Sequence, residues 1–297
     1  MLHKIIGIGE ILWDIFPHGR KLGGAPANFI YFIKELGQDG LVASRVGDDL
    51  MGKDILDVLD KLGLCRDFIQ IDPGHPTGTV EVKVDASGQP DYIINKNVAW
   101  DFLELSGKWK ELSRKADVIC FGSLAQRSLK SRRTIVDFIK MAGSGTINVF
   151  DINLRQDFYC PEIISQSLEL ATILKLNKGE LEVLKNFKGC SDKENDIDFC
   201  RSLMNDYHIK MVCVTRGEDG SLLIDGGGYY DHPGYKVRVA DTVGAGDAFT
   251  AAVVLSYLDG GTLEEMSGLA NRLGSWVCSH TGPTPVLDKR IKGFFSK

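Results

Sequence analysis

Asp241-Thr242-Val243-Gly244-Ala245-Gly246-Asp247-Ala248-Phe249 is the stretch whose reading decides the fold. Two glycines flank an alanine, so the backbone can turn sharply and approach a ligand closely. The apolar run Phe249-Thr250-Ala251-Ala252-Val253-Val254-Leu255 follows and predicts a helix. Gly244 to Asp247 then sit at its N-terminus, where unpaired N–H groups and the positive end of the dipole make an anion site. Asp247 puts a carboxylate inside that site. It serves either as a base beside a reacting anion or as a first-turn acid that steadies the helix dipole, and the spacing allows both.

Upstream of that stretch, short apolar runs alternate with helical patterns. Strands are predicted at Lys4–Gly9, Leu41–Val46, Asp117–Gly122, Thr146–Asn153, Ile173–Asn177 and Met211–Thr215. Helices are predicted between them, including Phe29–Leu36, which Gly37 closes, and Leu129–Met141. Repeated βα units imply a parallel sheet covered by helices on both faces, with ligands beyond the carboxyl ends of the strands. Asn153, Arg155, Asn177, Glu180 and Thr215 all fall at such ends, as does the 241–247 turn. They point to one composite site.

Two regions break the alternation. Glu10 to Phe16 reads as an extended piece in which Asp14 is either a solvated outward acid or a ligand for hydroxyls. Phe68 to Asn95 carries Asp72-Pro73-Gly74, Ser87-Gly88-Gln89-Pro90 and the alternating Thr79–Val84, which is antiparallel hairpin material. A small separate sheet is expected there. Between them, Gly23-Gly24-Ala25-Pro26-Ala27-Asn28 is a tight turn into a helix. Asn28 falls inside the apolar start of that helix, so its amide needs a partner: a polar ligand at the glycines or a nearby carbonyl. Gly47-Asp48-Asp49-Leu50-Met51-Gly52-Lys53-Asp54 has phosphate-loop spacing, but Asp54 replaces the required hydroxyl residue. It reads as an ordinary strand-to-helix turn.

Composition narrows the function. The 297 residues are 43% hydrophobic and 25% charged, which suits a soluble globular fold. Net charge is −5 with no basic block, which argues against a nucleic-acid partner. The seven cysteines are scattered without a Cys-x-x-Cys, so neither a disulfide framework nor a zinc site is suggested. Reduced thiols in a cytoplasmic protein are the expectation. The N-terminus turns polar too soon for a signal peptide, and no apolar run approaches membrane-spanning length, so no membrane partner is expected.

Gly23-Gly24-x-x-x-Asn28 near the start and Asp241-Thr-x-Gly-Ala-Gly-Asp247 near the end resemble the two signatures of the ribokinase-like (PfkB-type) sugar kinases. Asn177-x-x-Glu180 and Thr215-x-Gly217-x-x-Gly220 resemble two further motifs of that family, in the right order, and the resemblance covers essentially the whole chain. Gly9-Glu10-Ile11-Leu12-Trp13-Asp14, the Ala-Pro after the glycine pair, Phe121-Gly122-Ser123-Leu124-Ala125, Asp151-x-Asn153-x-Arg155 and Ala99-Trp100-Asp101 look like fructokinases. The resemblance implies an α/β fold, a ribokinase-like parallel-sheet core with helices on both faces plus a small β-sheet lid. It implies one kinase domain over residues 1–297, with the lid formed by about 11–22 and 68–100.

By that resemblance the protein transfers the γ-phosphoryl of ATP to a primary hydroxyl of a monosaccharide, D-fructose first. Asp247 is then the base, Gly244, Ala245 and Gly246 the anion turn, and Arg155 an added positive charge. Asp14, Gly23, Gly24, Asn28, Trp100, Asn153, Arg155 and Asp247 surround the sugar. Asn177, Thr215, Gly217, Gly220, Gly244, Gly246, Asn271 and Ser275 hold the nucleotide. Glu180 acts near Mg²⁺ through water, with a plain helix-start acid as its alternative, and Asp241 and the Val243 carbonyl match a K⁺ position. A homodimer through the lids is implied as well. Rival readings are a 2-keto-3-deoxygluconate, ribose or nucleoside kinase, or a non-catalytic sugar- or nucleotide-binding regulator. A dehydrogenase is discounted, because Gly7-Ile8-Gly9-Glu10-Ile11-Leu12 lacks the third glycine of the dinucleotide fingerprint.

Overall fold

The computed structural model describes residues 3–16, 19–84, 90–190 and 195–295. The chain opens with β1 (Lys4–Ile8), β2 (Leu12–Phe16), β3 (Gly19–Gly23), α1 (Ala25–Glu35), β4 (Asp39–Gly47), α2 (Leu50–Lys61) and β5 (Ile69–Asp72). Then come β6 (Gly78–Val84), β7 (Pro90–Ile94), α3 (Gly107–Arg114), β8 (Val118–Gly122), α4 (Leu129–Lys140), β9 (Ile147–Asp151), α5 (Pro161–Leu170) and β10 (Ile173–Asn177). The last part holds α6 (Lys178–Phe187), α7 (Asp196–Tyr207), β11 (Met211–Thr215), β12 (Ser221–Asp225), β13 (Gly228–His232), α8 (Ala245–Leu258), α9 (Leu263–Cys278) and α10 (Lys289–Gly293).

One large sheet runs β13-β12-β11-β10-β9-β8-β1-β4-β5. It is parallel from β11 to β5, and β12 and β13 add an antiparallel edge. Its central strands are short apolar runs with both faces covered, as parallel strands must be. The period of two divides them between two cores. Ile6, Ile8, Ile119, Phe121 and Phe150 pack on one face. Ile5, Val42, Val118 and Val149 pack on the other, against α1 and α8. α8 is buried from Ala248 to Ser256 and apolar nearly all round, which suits a helix enclosed by the fold.

The second sheet runs β3-β2-β6-β7. β2 pairs antiparallel with β3 and parallel with β6, and β6 and β7 form the expected hairpin. The Ser87-Gly88-Gln89 part of its turn lies outside the described residues, as do residues 17 and 18 of the expected lid. One boundary needs correction. Residues 69–72 were expected in the small sheet, but β5 pairs in parallel with β4 and extends the large one. Two-residue alternation marks a strand without saying which sheet it joins.

Gly47 to Asp54 is the strand-to-helix turn the sequence suggested. Asp49 Oδ1 accepts the Gly52 N–H at 2.7 Å and caps α2. The same stretch seats the small sheet. Trp13 Nε1 donates to the Met51 carbonyl at 3.0 Å, and Arg20 lies over the Trp13 ring and pairs with Asp54. No helix among the described residues is long and apolar enough to cross a membrane.

Candidate active site

Two helices begin at the carboxyl ends of the central strands, and both begin on glycine. Gly24 is the N-cap of α1 at φ 111°, and Gly244 that of α8 at φ 81°, and neither helix has a side-chain cap. A Cβ on Gly24 would lie 2.5 Å from the Glu10 carbonyl oxygen, and one on Gly244 would lie 2.1 Å from that of Pro283. Both positions therefore require glycine on conformation and on space. The two N-termini meet side by side: Asn28 Nδ2 donates to Asp247 Oδ2 at 2.9 Å. That bond answers the question of the buried Asn28 amide. The Ala245 N–H makes a long 3.4 Å bond to Thr242, while Gly246 and Asp247 show no backbone bond among the described residues. The free donors of the turn are thus at Gly246 and Asp247.

Beneath this turn lies a buried ion pair that the sequence reading did not single out. Lys175 and Asp151 are register partners on neighbouring strands β10 and β9, on the face that α8 covers. Lys175 Nζ donates to Asp151 Oδ1 and Oδ2 at 3.1 and 3.0 Å. Thr250 ties the pair to the helix: its Oγ1 donates to the Gly246 carbonyl at 2.9 Å and lies 3.3 Å from Asp151 Oδ2. Lys175 Nζ would stand 3.0 Å from a Cβ on Gly246, so the ammonium sits directly under the turn. Burial opposes the charge on Lys175, but Asp151, Glu180 and Asp247 together hold its proton more tightly than usual.

The carboxyls around the turn are pushed the other way. Burial raises Asp247 to about 7, and the nearby Asp151 charge adds to it, against the Asn28 bond, Lys175 and Arg155. Burial also raises Glu10 to about 7 and Asp14 to about 6. The charge of Arg155, an exposed residue beyond β9, acts on Glu10, Asp14 and Asp247 and lowers each. Asp14 on β2 faces Gly23 closely; a Cβ there would lie 2.4 Å from Asp14 Oδ2. Asn153 sits on the same rim in a left-handed turn at φ 40°. Asp14, Gly23, Gly24, Asn28, Asn153, Arg155 and Asp247 therefore cluster at one end of the sheet. Trp100 does not join them as an open contact. It is fully buried, and the Arg127 guanidinium lies 4.0 Å from its ring centroid. Its large apolar surface is spent on the core between the two sheets.

Asn177 and Glu180 form a reciprocal cap at the start of α6. Glu180 N donates to Asn177 Oδ1 at 2.9 Å and Asn177 N to Glu180 Oε2 at 2.7 Å, while Leu154 N reaches Oε1 at 2.9 Å. Burial raises Glu180 above the usual carboxylate range. No group of three His, Cys, Asp or Glu among the described residues could hold a metal by itself. Glu180 keeps one lone pair on each oxygen, which fits an outer, water-mediated contact with a cation and not a protein-only cage. Thr215 ends β11, and Gly217 and Gly220 carry positive φ in the turn after it. Asn271 was expected at the nucleotide, yet it is buried and donates to Ser221 Oγ and the Ser267 carbonyl at 2.7 and 2.8 Å. Its amide N–H groups are consumed in tying α9 to β12, whereas Ser275, one turn on, is partly exposed. Asp241 accepts from Val243 N at 3.1 Å and Gly282 N at 3.0 Å, which anchors the turn to the 278–283 segment.

A small cavity between the helix starts is lined by Ala25, Pro26, Cys120, Asp151, Asp247 and Thr250. A larger one, about 400 Å³, lies at the opposite end of the sheet among α8, α9 and Phe294 and Phe295 after α10, and contains none of the residues gathered here.

The model of the pfkB family carbohydrate kinases matches residues 18–290. A fructokinase of Escherichia coli is 30% identical over 98% of this chain and 98% of its own. The crystal structure of an uncharacterized sugar kinase from Pyrococcus horikoshii in complex with ATP superposes with a TM-score of 0.80 at 27% identity, over 94% of each chain. That of aminoimidazole riboside kinase from Salmonella enterica superposes with the same TM-score, 0.80, at 23% identity, over 99% of this chain and 100% of its own. The last is a likeness of fold.

Proposed function

We propose that this chain, which belongs to the pfkB family of carbohydrate kinases, transfers the γ-phosphoryl of ATP to the primary hydroxyl of a monosaccharide, and that D-fructose, giving fructose 6-phosphate, is its preferred acceptor. One observation carries the chemistry: a partly buried carboxyl, raised to about 7, stands in the first turn of α8 against the start of α1 and accepts a 2.9 Å bond from Asn28. A carboxyl near neutrality can take a proton from an alcohol as it attacks, which contributes roughly 10²–10⁴-fold. The acceptor is supported by the fructokinase-like residues around Asp14 and Arg155 and by the fructokinase relative.

In this reading the sugar lies over Gly23 and Gly24, with Asp14 and Asn28 on its hydroxyls. Asp14 accepts, and Asn28 can accept and donate, which suits a vicinal diol. Asp247 then orients the primary hydroxyl and removes its proton. The Gly246 and Asp247 N–H groups receive the charge that gathers on the transferring phosphoryl, and the Lys175 ammonium below adds to that field. Arg155 supplies an exposed positive charge from the rim. The nucleotide lies along Asn177, Thr215, Gly217, Gly220 and Ser275. Mg²⁺ would neutralise phosphate charge, with Glu180 reaching its waters. K⁺ beside Asp241 and the Val243 carbonyl, a homodimer through the small sheets and a cytoplasmic location belong to the same proposal.

The test is ADP release from ATP and Mg²⁺, with and without K⁺, across fructose, ribose, 2-keto-3-deoxygluconate and adenosine. Preference for fructose is expected. Preference for another acceptor would refute the sugar and keep the kinase. Absence of acceptor-dependent ADP throughout would refute the reading.

A further inference from the structure

Glu10 is the buried acid that this mechanism leaves unused. It follows β1 at the carboxyl end of the sheet and is 2% exposed. Its Oε1 accepts the Ala25 N–H at 3.3 Å. Ala25 is the first residue of α1, whose N-cap Gly24 offers no side chain, so Glu10 supplies from outside the cap that the helix lacks. Gly24 packs on the Glu10 backbone so closely that a Cβ would meet the Glu10 carbonyl oxygen at 2.5 Å. One turn along the same helix, the Asn28 N–H donates to the Gly24 carbonyl at 3.0 Å, and the Asn28 side chain holds Asp247. Glu10 Oε2 is buried without a hydrogen-bond partner among the described residues.

We propose that Glu10 is a positioning residue that acts on Asp247 by two routes: it fixes the helix turn that carries Asn28, and its buried carboxyl lies within reach of the Asp247 charge. The first route is geometric and serves the sugar turn. The second is electrostatic. An ionised carboxylate with an unpartnered buried oxygen is costly, so burial, with the Asp247 charge adding to it, raises Glu10 to about 7 and it ionises within the working range. The charges facing this pair are Asp151 from β9, Lys175 from β10 and Arg155 from the loop after β9, with the neutral thiol of Cys120 on β8. Asp151 works with Glu10, while Lys175 and Arg155 work against it. Two carboxyls that feel each other's charge lose their protons in linked steps.

The inference rests on Asp247 being the base, and the variants separate the two claims. Glu10→Gln keeps an acceptor for the Ala25 N–H and copies the neutral acid, but it cannot ionise. Glu10→Ala removes the cap. In Glu10→Gln the KM for sugar should stay within about twofold, while the acid limb of kcat/KM moves to lower pH by about half a unit or more and sharpens to one step. In Glu10→Ala the sugar KM should rise about fivefold or more. A purely structural role would not move the pH profile with KM retained. An activity-independent readout accompanies these: the melting temperature of Glu10→Gln should fall less between pH 5 and 8 than that of the wild type. A Glu10→Gln pH–rate profile and pH–stability curve that both superimpose on the wild type would overturn the role of Glu10. If the stability curve changes while Asp247→Asn retains full turnover, the coupling stands and the assignment of Asp247 as base falls.

Discussion

Removing Lys175 is the perturbation whose effect the structure defines most fully. Lys175→Met keeps the length and apolar stem but deletes the ammonium that holds Asp151. Both residues are buried, at 8% and 5% exposure. Among the described residues, Asp151 would be left with the 3.3 Å hydrogen bond from Thr250 Oγ1. Breaking one side of such a pair costs about 3–5 kcal/mol, because the surviving charge stays buried without its partner. At about 2–4 °C per kcal/mol for a large domain, the melting temperature should fall by about 6–20 °C. Asp151→Asn together with Lys175→Met removes both charges, and replacing both members of a buried pair is often close to neutral. The double variant should therefore recover at least half of the loss. Thermal unfolding of the wild type, both single variants and the double variant closes the cycle. Lys175 also lowers Asp247, so the acid limb of the pH–rate profile should rise in the single variant. A Lys175→Met melting temperature within about 2 °C of the wild type would refute the reasoning, and so would a double variant no better than the single.

Three further outcomes follow from the same geometry. Asp247 has a folded pKa of about 7, above its unfolded value, so its stabilising contribution is full at low pH and is lost as pH rises toward 7. Asp247→Asn should therefore melt higher than the wild type at pH 8 and about equally at pH 4, while wild-type turnover should climb with pH through 7 as the base ionises. Gly244→Ala forces an L side chain to φ 81° with its Cβ 2.1 Å from the Pro283 carbonyl oxygen, so it should displace the anion turn and lose both stability and nearly all turnover. Asn28→Ala removes the bond to Asp247 and should raise the sugar KM with a smaller change in the KM for ATP, measured by varying each substrate in turn.

Much of this was legible in the sequence, and the reasons are local. The strands β8, β10 and β11 are short apolar runs bounded by polar turns, and their period and punctuation are enough to find them. Gly244 and Gly24 announced themselves because each precedes an apolar helical run. What stayed hidden depends on strand order. Lys175 looked like one polar interruption in Ile-Leu-Lys-Leu-Asn until β10 was seen beside β9, with Lys175 in register with Asp151. Glu10 looked like one step of an alternating extended piece, and its role depends on where α1 begins in space. Asn271 shows the same limit: a polar residue on an amphipathic helix matches a motif position, and only the fold shows its N–H groups bound to Ser221 and Ser267. β5 was misplaced because alternation cannot choose between two sheets.

The role of Asp247 is tested most directly by single-turnover phosphoryl transfer from ATP to fructose in the wild type and in Asp247→Asn. Asparagine can still accept the Asn28 N–H but cannot take a proton. A loss of about 10²–10⁴-fold in the transfer rate, with little change in the KM for either substrate, is the expected result. Equal transfer rates in the two proteins would contradict it.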